Sequence, residues 1–71
     1  MNAKPENIFS EKEIKIIRLL EKGLSNKTIS ERCNISENTV KYHLKNIYKK
    51  LGVHSRLQAV RRINKNNLFI N

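Results

Sequence analysis

Hydrophobic residues recur along the chain at intervals of three and four positions, which is the spacing of amphipathic helices. The clearest stripe consists of Val40, Leu44, Ile47 and Leu51, at positions i, i+4, i+7 and i+11. Charged and amide residues fill the positions between them. This pattern predicts a helix over residues 37–51 with one apolar face directed towards a core.

A first helix is predicted over residues 11–22, between a clear start and a clear stop. Ser10 and Glu13 form a capping box, in which each side chain accepts a hydrogen bond from the other residue's backbone amide. Gly23 stands where a left-handed residue ends a helix. The inward stripe of this helix comprises Ile16, Ile17 and Leu20, with Ile14 and Leu19 at its margins.

A short second helix is predicted over residues 26–33, beginning after Ser25 and turning Ile29 and Cys33 inward. Residues 34–36 leave a turn of about three residues before the third helix, and Ser36 is the cap of that helix. A turn this short sets two helices at a steep angle, which is the helix-turn-helix arrangement.

The fourth helix is predicted over residues 56–64, after the stop signal of Gly52 and the cap residue Ser55. The fold class is therefore all-α, a four-helix helix-turn-helix domain. Residues 1–8 are polar and predict a flexible N-terminal arm, which leaves residues 9–71 for the domain. Apolar residues expected on the fourth helix are Leu57, Ala59, Val60 and Ile63.

Composition narrows the class of partner. The 71 residues can hold one small domain. Fifteen Lys and Arg stand against six Asp and Glu, a formal net charge of +9, which favours a polyanion. DNA, RNA and an anionic membrane surface all remain open on charge alone.

Several other classes are disfavoured by what the sequence contains. The one cysteine, Cys33, fits a reducing compartment and falls on an inward stripe, so we interpret it as a buried thiol. No apolar run approaches the roughly 20 residues of a membrane span, and residues 1–6 lack the design of a secretion signal. We expect a soluble, cytoplasmic protein with no membrane contact. No metal-ligand spacing, phosphate loop or catalytic constellation is present, so we expect no metal, no cofactor and no enzyme.

The polar side of the third helix carries the candidate chemistry. Lys41, Lys45 and Lys49 follow one another at intervals of four, so they project from the same side. Like charges at this spacing destabilise an isolated helix by a few tenths of a kcal/mol. A row of lysines on a helix is ordinarily interpreted as a solvated surface. On the second helix of a helix-turn-helix, an anion-binding surface is the better interpretation.

Geometry suggests how such a helix reads DNA. The major groove admits one α-helix, whose N-terminal half reaches the base edges. Lys41 and Lys45 can donate to guanine, Tyr42 can contact a base or a thymine methyl, and Asn38 can read adenine or contact a phosphate. Free amides at the starts of the second and third helices attract phosphate.

The residues then carry a resemblance to a known family. Residues 9–23, FSEKEIKIIRLLEKG, residues 24–53, LSNKTISERCNISENTVKYHLKNIYKKLGV, and residues 54–60, HSRLQAV, resemble the LuxR family of bacterial regulators, also called the GerE or FixJ type. The resemblance runs without a gap and implies a DNA-binding module that pairs through its fourth helix on inverted-repeat sites.

Carried over by position, the resemblance assigns base reading to Lys41, Tyr42 and Lys45. Three positions, Thr28, Ser30 and Cys33, depart from the family pattern, and these departures affect local caps and packing. The resemblance places contacts to the DNA backbone at Ser25, Asn26, Lys27, Thr39 and Lys49.

The predicted function is therefore sequence-specific binding of double-stranded DNA for transcription regulation, as a homodimer. RNA polymerase is a further candidate partner. Two alternatives remain: a promoter-reading piece of a sigma factor, and a basic protein-interaction module. The sequence leaves open whether it is a whole protein or the C-terminal effector domain of a larger regulator. The expected dimer contact consists of Leu57, Val60, Arg61 and Ile63.

Overall fold

The computed structural model describes residues 8–66, and four helices lie wholly within them. Residues 1–7 of the predicted arm and residues 67–71 of the predicted domain fall outside the described residues. The helices are α1 Glu11–Glu21, α2 Asn26–Cys33, α3 Glu37–Leu51 and α4 Arg56–Asn66. No strand occurs between residues 8 and 66, so the all-α prediction is confirmed. The helix bounds agree with the expected ones to within two residues.

Each helix begins at a serine whose hydroxyl accepts a hydrogen bond from the backbone three residues on. In α1 the Ser10 hydroxyl accepts from the Glu13 amide at 3.1 Å, while Glu13 Oε1 accepts from the Ser10 amide at 2.8 Å. The capping box is confirmed. Ser25, Ser36 and Ser55 cap the other three helices in the same way, which satisfies amides that the helix itself leaves unbonded.

The first three helices end on a residue in the left-handed conformation. Gly23, Asn34 and Gly52 have φ values of 82°, 57° and 71°. After each of them the next amide donates to the carbonyl five residues back, as from Leu24 to Leu19 at 3.3 Å. Glycine and asparagine tolerate this conformation, so these positions stop the helices and fix the direction of the following chain.

The core lies between α1 and α3, each of which packs against all three other helices. Ile47 and Val40 of α3 are fully buried. Leu19, which the pattern placed at the margin of α1, is 7% exposed and belongs to this core. Cys33 is a buried free thiol, as expected. Across residues 8–66, none of the helices combines the length and the apolar character that spanning a membrane would require.

Candidate nucleic-acid interface

The buried stripe of α3 determines which of its side chains face outward. Because Val40, Leu44, Ile47 and Leu51 are buried, the opposite side of the helix is open to solvent. Successive lysines four residues apart on that side are separated by about 6 Å along the helix axis. The exposed residues of this face are Asn38, Lys41, Tyr42, Lys45 and Lys49.

Tyr42 is the large apolar group of this face. It is 62% exposed, and its ring meets the ring of His43 edge to face, with 5.5 Å between the centroids. An exposed aromatic ring of this kind offers an edge and a hydroxyl to a ligand. Its neighbour His43 is half-buried.

The starts of α2 and α3 carry small polar side chains. The Ser25 hydroxyl accepts from the Thr28 amide at 3.2 Å and also bonds the Thr28 hydroxyl. Lys27 is exposed, and Asn26 is half-buried. At the start of α3, Ser36 and Thr39 are paired in the same manner, with 2.9 Å between their hydroxyls. Both helix starts therefore present hydroxyls next to backbone amides, a combination that suits phosphate.

Arg56, the first residue of α4, fixes the position of the α2 start. Its Nη1 donates to Asn26 Oδ1 at 2.8 Å, and its Nη2 donates to the Leu24 carbonyl. The sequence pattern did not reveal this clamp, because the partners lie 30 and 32 positions apart. As a result Asn26, predicted as a contact to the DNA backbone, already has its carbonyl oxygen engaged.

Lys50 ties the last turn of α3 to the start of the domain. Its Nζ donates to Glu13 Oε1 at 2.7 Å and to the Ile8 carbonyl at 3.0 Å. It also lies 5.6 Å from the centre of the Phe9 ring. Burial by itself would raise the pKa of Glu13, but the hydrogen bonds from Lys50 and from the Ser10 amide outweigh it and lower that pKa.

A second contact braces the same end of α3 against α4. Arg62 Nη1 donates to the carbonyl of Leu51 at 2.9 Å. Nearby, burial raises the pKa of Tyr48, and the charge of Arg56 opposes that rise in part. The last turn of α3 is therefore held by basic side chains from its own helix and from α4.

The outer side of α4 contains the predicted dimer contact. Leu57 is 60% exposed, Val60 is half-buried and Arg61 is exposed. Ile63 does not belong with them. It is 1% exposed and lies in the core, so it has no surface to offer a second molecule. The prediction that Ile63 belongs to the dimer contact was wrong. Ala59, four residues earlier, is fully buried on the same side of the helix.

The described residues contain no group of three or more His, Cys, Asp or Glu side chains that could hold a metal ion. The acidic residue with the most evident structural role, Glu13, is bonded to Lys50 and Ser10. The exposed face of α3 and the two helix starts instead carry lysine, amide and hydroxyl groups. This is the chemistry of anion binding.

Comparison with known proteins places this arrangement in context. Residues 7–63 match the family model described as bacterial regulatory proteins, luxR family. The nitrate/nitrite response regulator protein NarP of Escherichia coli (strain K12) is 46% identical over 55 residues, which cover 78% of this chain and 26% of that protein. The probable transcriptional regulatory protein SgaR of Hyphomicrobium methylovorum is 45% identical over 60 residues, covering 84% of this chain and 28% of that protein.

The fold agrees with that of a solved relative. The crystal structure of the response regulator ChrA, from a heme-sensing two-component system, superposes with a TM-score of 0.81 at 44% sequence identity. The superposition covers 93% of this chain and 33% of the ChrA chain. The chain spans about a quarter of the length of the curated relatives it matches.

Proposed function

The chain belongs to the luxR family of bacterial regulatory proteins, whose members are DNA-binding transcription regulators, and from this premise we propose how its residues engage a promoter. Helix α3 lies in the major groove of double-stranded DNA. The observation that carries the proposal is the exposed face of α3, where Lys41, Tyr42 and Lys45 stand opposite the buried stripe.

Base reading falls to the first two turns of that face. Lys41 and Lys45 donate to guanine O6 and N7, and Asn38 lies one turn earlier, where it reaches adenine or a phosphate. Tyr42 sits between the two lysines and contacts a base or a thymine methyl. These four side chains are exposed, and the buried stripe behind them fixes the direction in which they project.

Backbone contacts fall to the helix starts. Ser25, Asn26 and Lys27 bind phosphate at the start of α2, and Thr39 and Lys49 do so from α3. The Arg56 clamp supports this assignment, because it holds Asn26 in place while the exposed Lys27 supplies the charge. Phosphate contacts position the protein on the duplex and supply affinity for any sequence.

Two copies bind together on an inverted repeat through α4. Leu57 and Val60 supply the apolar part of the contact, and Arg61 borders it. Each chain carries a formal net charge of +9, so two free copies repel one another. DNA neutralises this repulsion, and we therefore expect the dimer to form on the operator.

The proposal describes a binding module without a catalytic step. Since the chain spans about a quarter of the length of its curated relatives, the module acts as part of a longer regulator. It works in the cytoplasm, where bacterial chromosomal DNA is found. RNA polymerase is its candidate partner once it is bound at a promoter.

The test is selection of bound duplexes from a random pool by the 71-residue chain, repeated at two salt concentrations. We expect enrichment of an inverted repeat whose half-sites lie about one helical turn apart. Enrichment should survive at the higher salt, because base contacts add to the salt-dependent phosphate term.

Other outcomes distinguish the alternatives. Enrichment of a single, non-repeated element would favour a sigma-like promoter reader and contradict the dimer. Retained helical folding with no binding to any duplex at low salt would favour a basic protein-interaction module. Binding that fades with salt and enriches nothing would contradict base reading by α3.

A further inference from the structure

A basic groove lies between the last turns of α3 and the flank of α4 next to the proposed dimer contact, with Arg61 at the border of the two. It consists of two adjoining depressions, of about 470 and 370 Å³, that share residues 52–54 as a common ridge. Lys45 and Lys49 line the α3 side, and Arg61 and Lys65 line the α4 side. Among the described residues that line the groove there is no Asp or Glu.

The groove has a fixed shape, because hydrogen bonds hold its ridge and its wall. Arg62, which lines the α4 side, donates to the Leu51 carbonyl at 2.9 Å. The His54 amide on the ridge donates to Gln58 Oε1 at 2.8 Å. Gly52 adopts the left-handed conformation that directs the chain from α3 into the ridge. Hydrogen bonds thus hold the backbone of the ridge and the Arg62 side chain of the wall.

The groove adjoins residues that the proposed function already places on DNA. Arg56 follows the ridge by two residues and donates to Asn26, so the start of α4 and the start of α2 are in contact. Lys45 and Lys49, which the proposed function places on DNA, line the α3 side of the groove. A duplex bound by α3 therefore meets this side of the groove.

We infer that the basic groove binds the phosphodiester backbone of the duplex beyond the bases that α3 reads, which adds His54 and Lys65 to the DNA contacts. This inference rests on the proposed function. Base edges are reached by the N-terminal half of a recognition helix. Cations beyond its C-terminal end therefore meet backbone phosphates, which occur at about one negative charge per 1.7 Å of duplex axis.

The test uses duplexes that carry a single half-site, so that dimerisation does not contribute. One duplex ends under α3, and two others are extended by about half a helical turn on one side or the other. Affinity is measured by fluorescence anisotropy across a series of salt concentrations. We expect extension on the side of the groove to strengthen binding and to steepen the salt dependence, and extension on the opposite side to change neither.

Two exposed residues of the groove are then changed separately, Lys65→Gln and His54→Gln, with Lys15→Gln on the outside of α1 as the matched control. On the groove-side duplex, Lys65→Gln should reduce the salt slope, that is the slope of log affinity against log salt concentration, by about 0.9. The loss of affinity between about 50 and 200 mM salt should then be roughly threefold smaller than for the wild-type chain. His54→Gln should weaken binding to the same duplex. Neither variant should alter binding to the shortest duplex.

Several results would overturn the inference. These are equal gains from extension on both sides, equal losses on the short and extended duplexes, and the same effect from Lys15→Gln. Because each variant replaces an exposed side chain, circular dichroism should report unchanged helix content. If the wild-type chain binds the short half-site but gains nothing from extension, the groove inference fails while the proposed function stands. Absence of binding to any half-site would contradict the proposed function itself.

Discussion

The two ends of α3 are held in different ways. Its first half begins at the Ser36 cap and turns Lys41 and Tyr42 to solvent. Its last turn is tied to α1 through the bond from Lys50 to Glu13 and to α4 through the bond from Arg62 to the Leu51 carbonyl. We call the exposed first half of α3 its open end, and the last turn, which is held by side-chain contacts to α1 and α4, its braced end.

This difference indicates that contacts to DNA bases and contacts to the rest of the domain are made by different parts of α3. The braced end fixes the axis of α3 relative to the rest of the domain. The open end can then carry any set of exposed side chains that suits an operator, because those side chains contribute little to the core. Substitutions at the two ends should accordingly affect different measurements.

The largest effect is expected from the core beneath the braced half. Ile47 is fully buried, so Ile47→Ala removes packed methyl groups and leaves a cavity, at a cost of about 2–5 kcal/mol in the free energy of unfolding. Tyr42→Ala on the open face is the matched comparison, and it should change stability by about 0.5 kcal/mol or less. Urea unfolding followed by circular dichroism measures both, and equal losses would contradict the separation of the two roles.

The second effect concerns base reading at the open face. Lys45→Ala should weaken binding to the selected operator by roughly 1–3 kcal/mol and relax the preference at one base pair. Binding to random duplex should change much less, and Lys15→Ala on α1 should change neither. Anisotropy titrations on the operator, on its single-base variants and on random DNA give the comparison. An equal loss on all duplexes would indicate that Lys45 contacts a phosphate and not a base.

Most of the fold could be predicted because its signals are local. The apolar stripe of α3, the serine caps and the left-handed stops at Gly23 and Gly52 each involve residues within a few positions of one another. The exposed face of α3 follows from the same periodicity. A small helical domain with such consistent local signals leaves few alternative arrangements.

What could not be predicted depends on contacts between distant positions. Lys50 and Glu13 are 37 residues apart, and Arg56 and Asn26 are 30 residues apart, so no short pattern links them. The side of α4 that faces the core is also set by tertiary packing. The apolar residues of α4 are spread around the helix. The sequence alone therefore could not show that Ile63 is buried whereas Leu57 is exposed.

The third effect concerns the brace itself and depends on pH. The lowered pKa of Glu13 means that its carboxylate stabilises the folded state at neutral pH, and this contribution is lost as the pH falls below the ordinary value of 4.5 and through the folded value. Lys50→Met should cost about 1 kcal/mol at pH 7, a modest figure because Lys50 is 38% exposed.

Thermal unfolding between about pH 3 and pH 7 checks this linkage. The wild-type chain should lose stability towards the acid end more steeply than the Lys50→Met variant. Glu21→Gln, an exposed site at the end of α1, should leave the steepness of the wild-type curve nearly unchanged. Parallel curves for wild type and Lys50→Met would show that the ion pair does not support the last turn of α3.

The smallest effect is expected at the start of α2, where the charge of Lys27 is proposed to bind a DNA phosphate. Lys27 is exposed beside the Ser25 cap, so Lys27→Ala should leave stability unchanged and weaken binding to every duplex by a similar, few-fold factor. Loss of one phosphate contact lowers the salt slope by about 0.9. Titrations of operator and random DNA across salt concentrations, with Lys15→Ala as control, measure this slope. A loss confined to the operator would instead make Lys27 part of base reading, and would contradict the assignment of phosphate contacts to the start of α2.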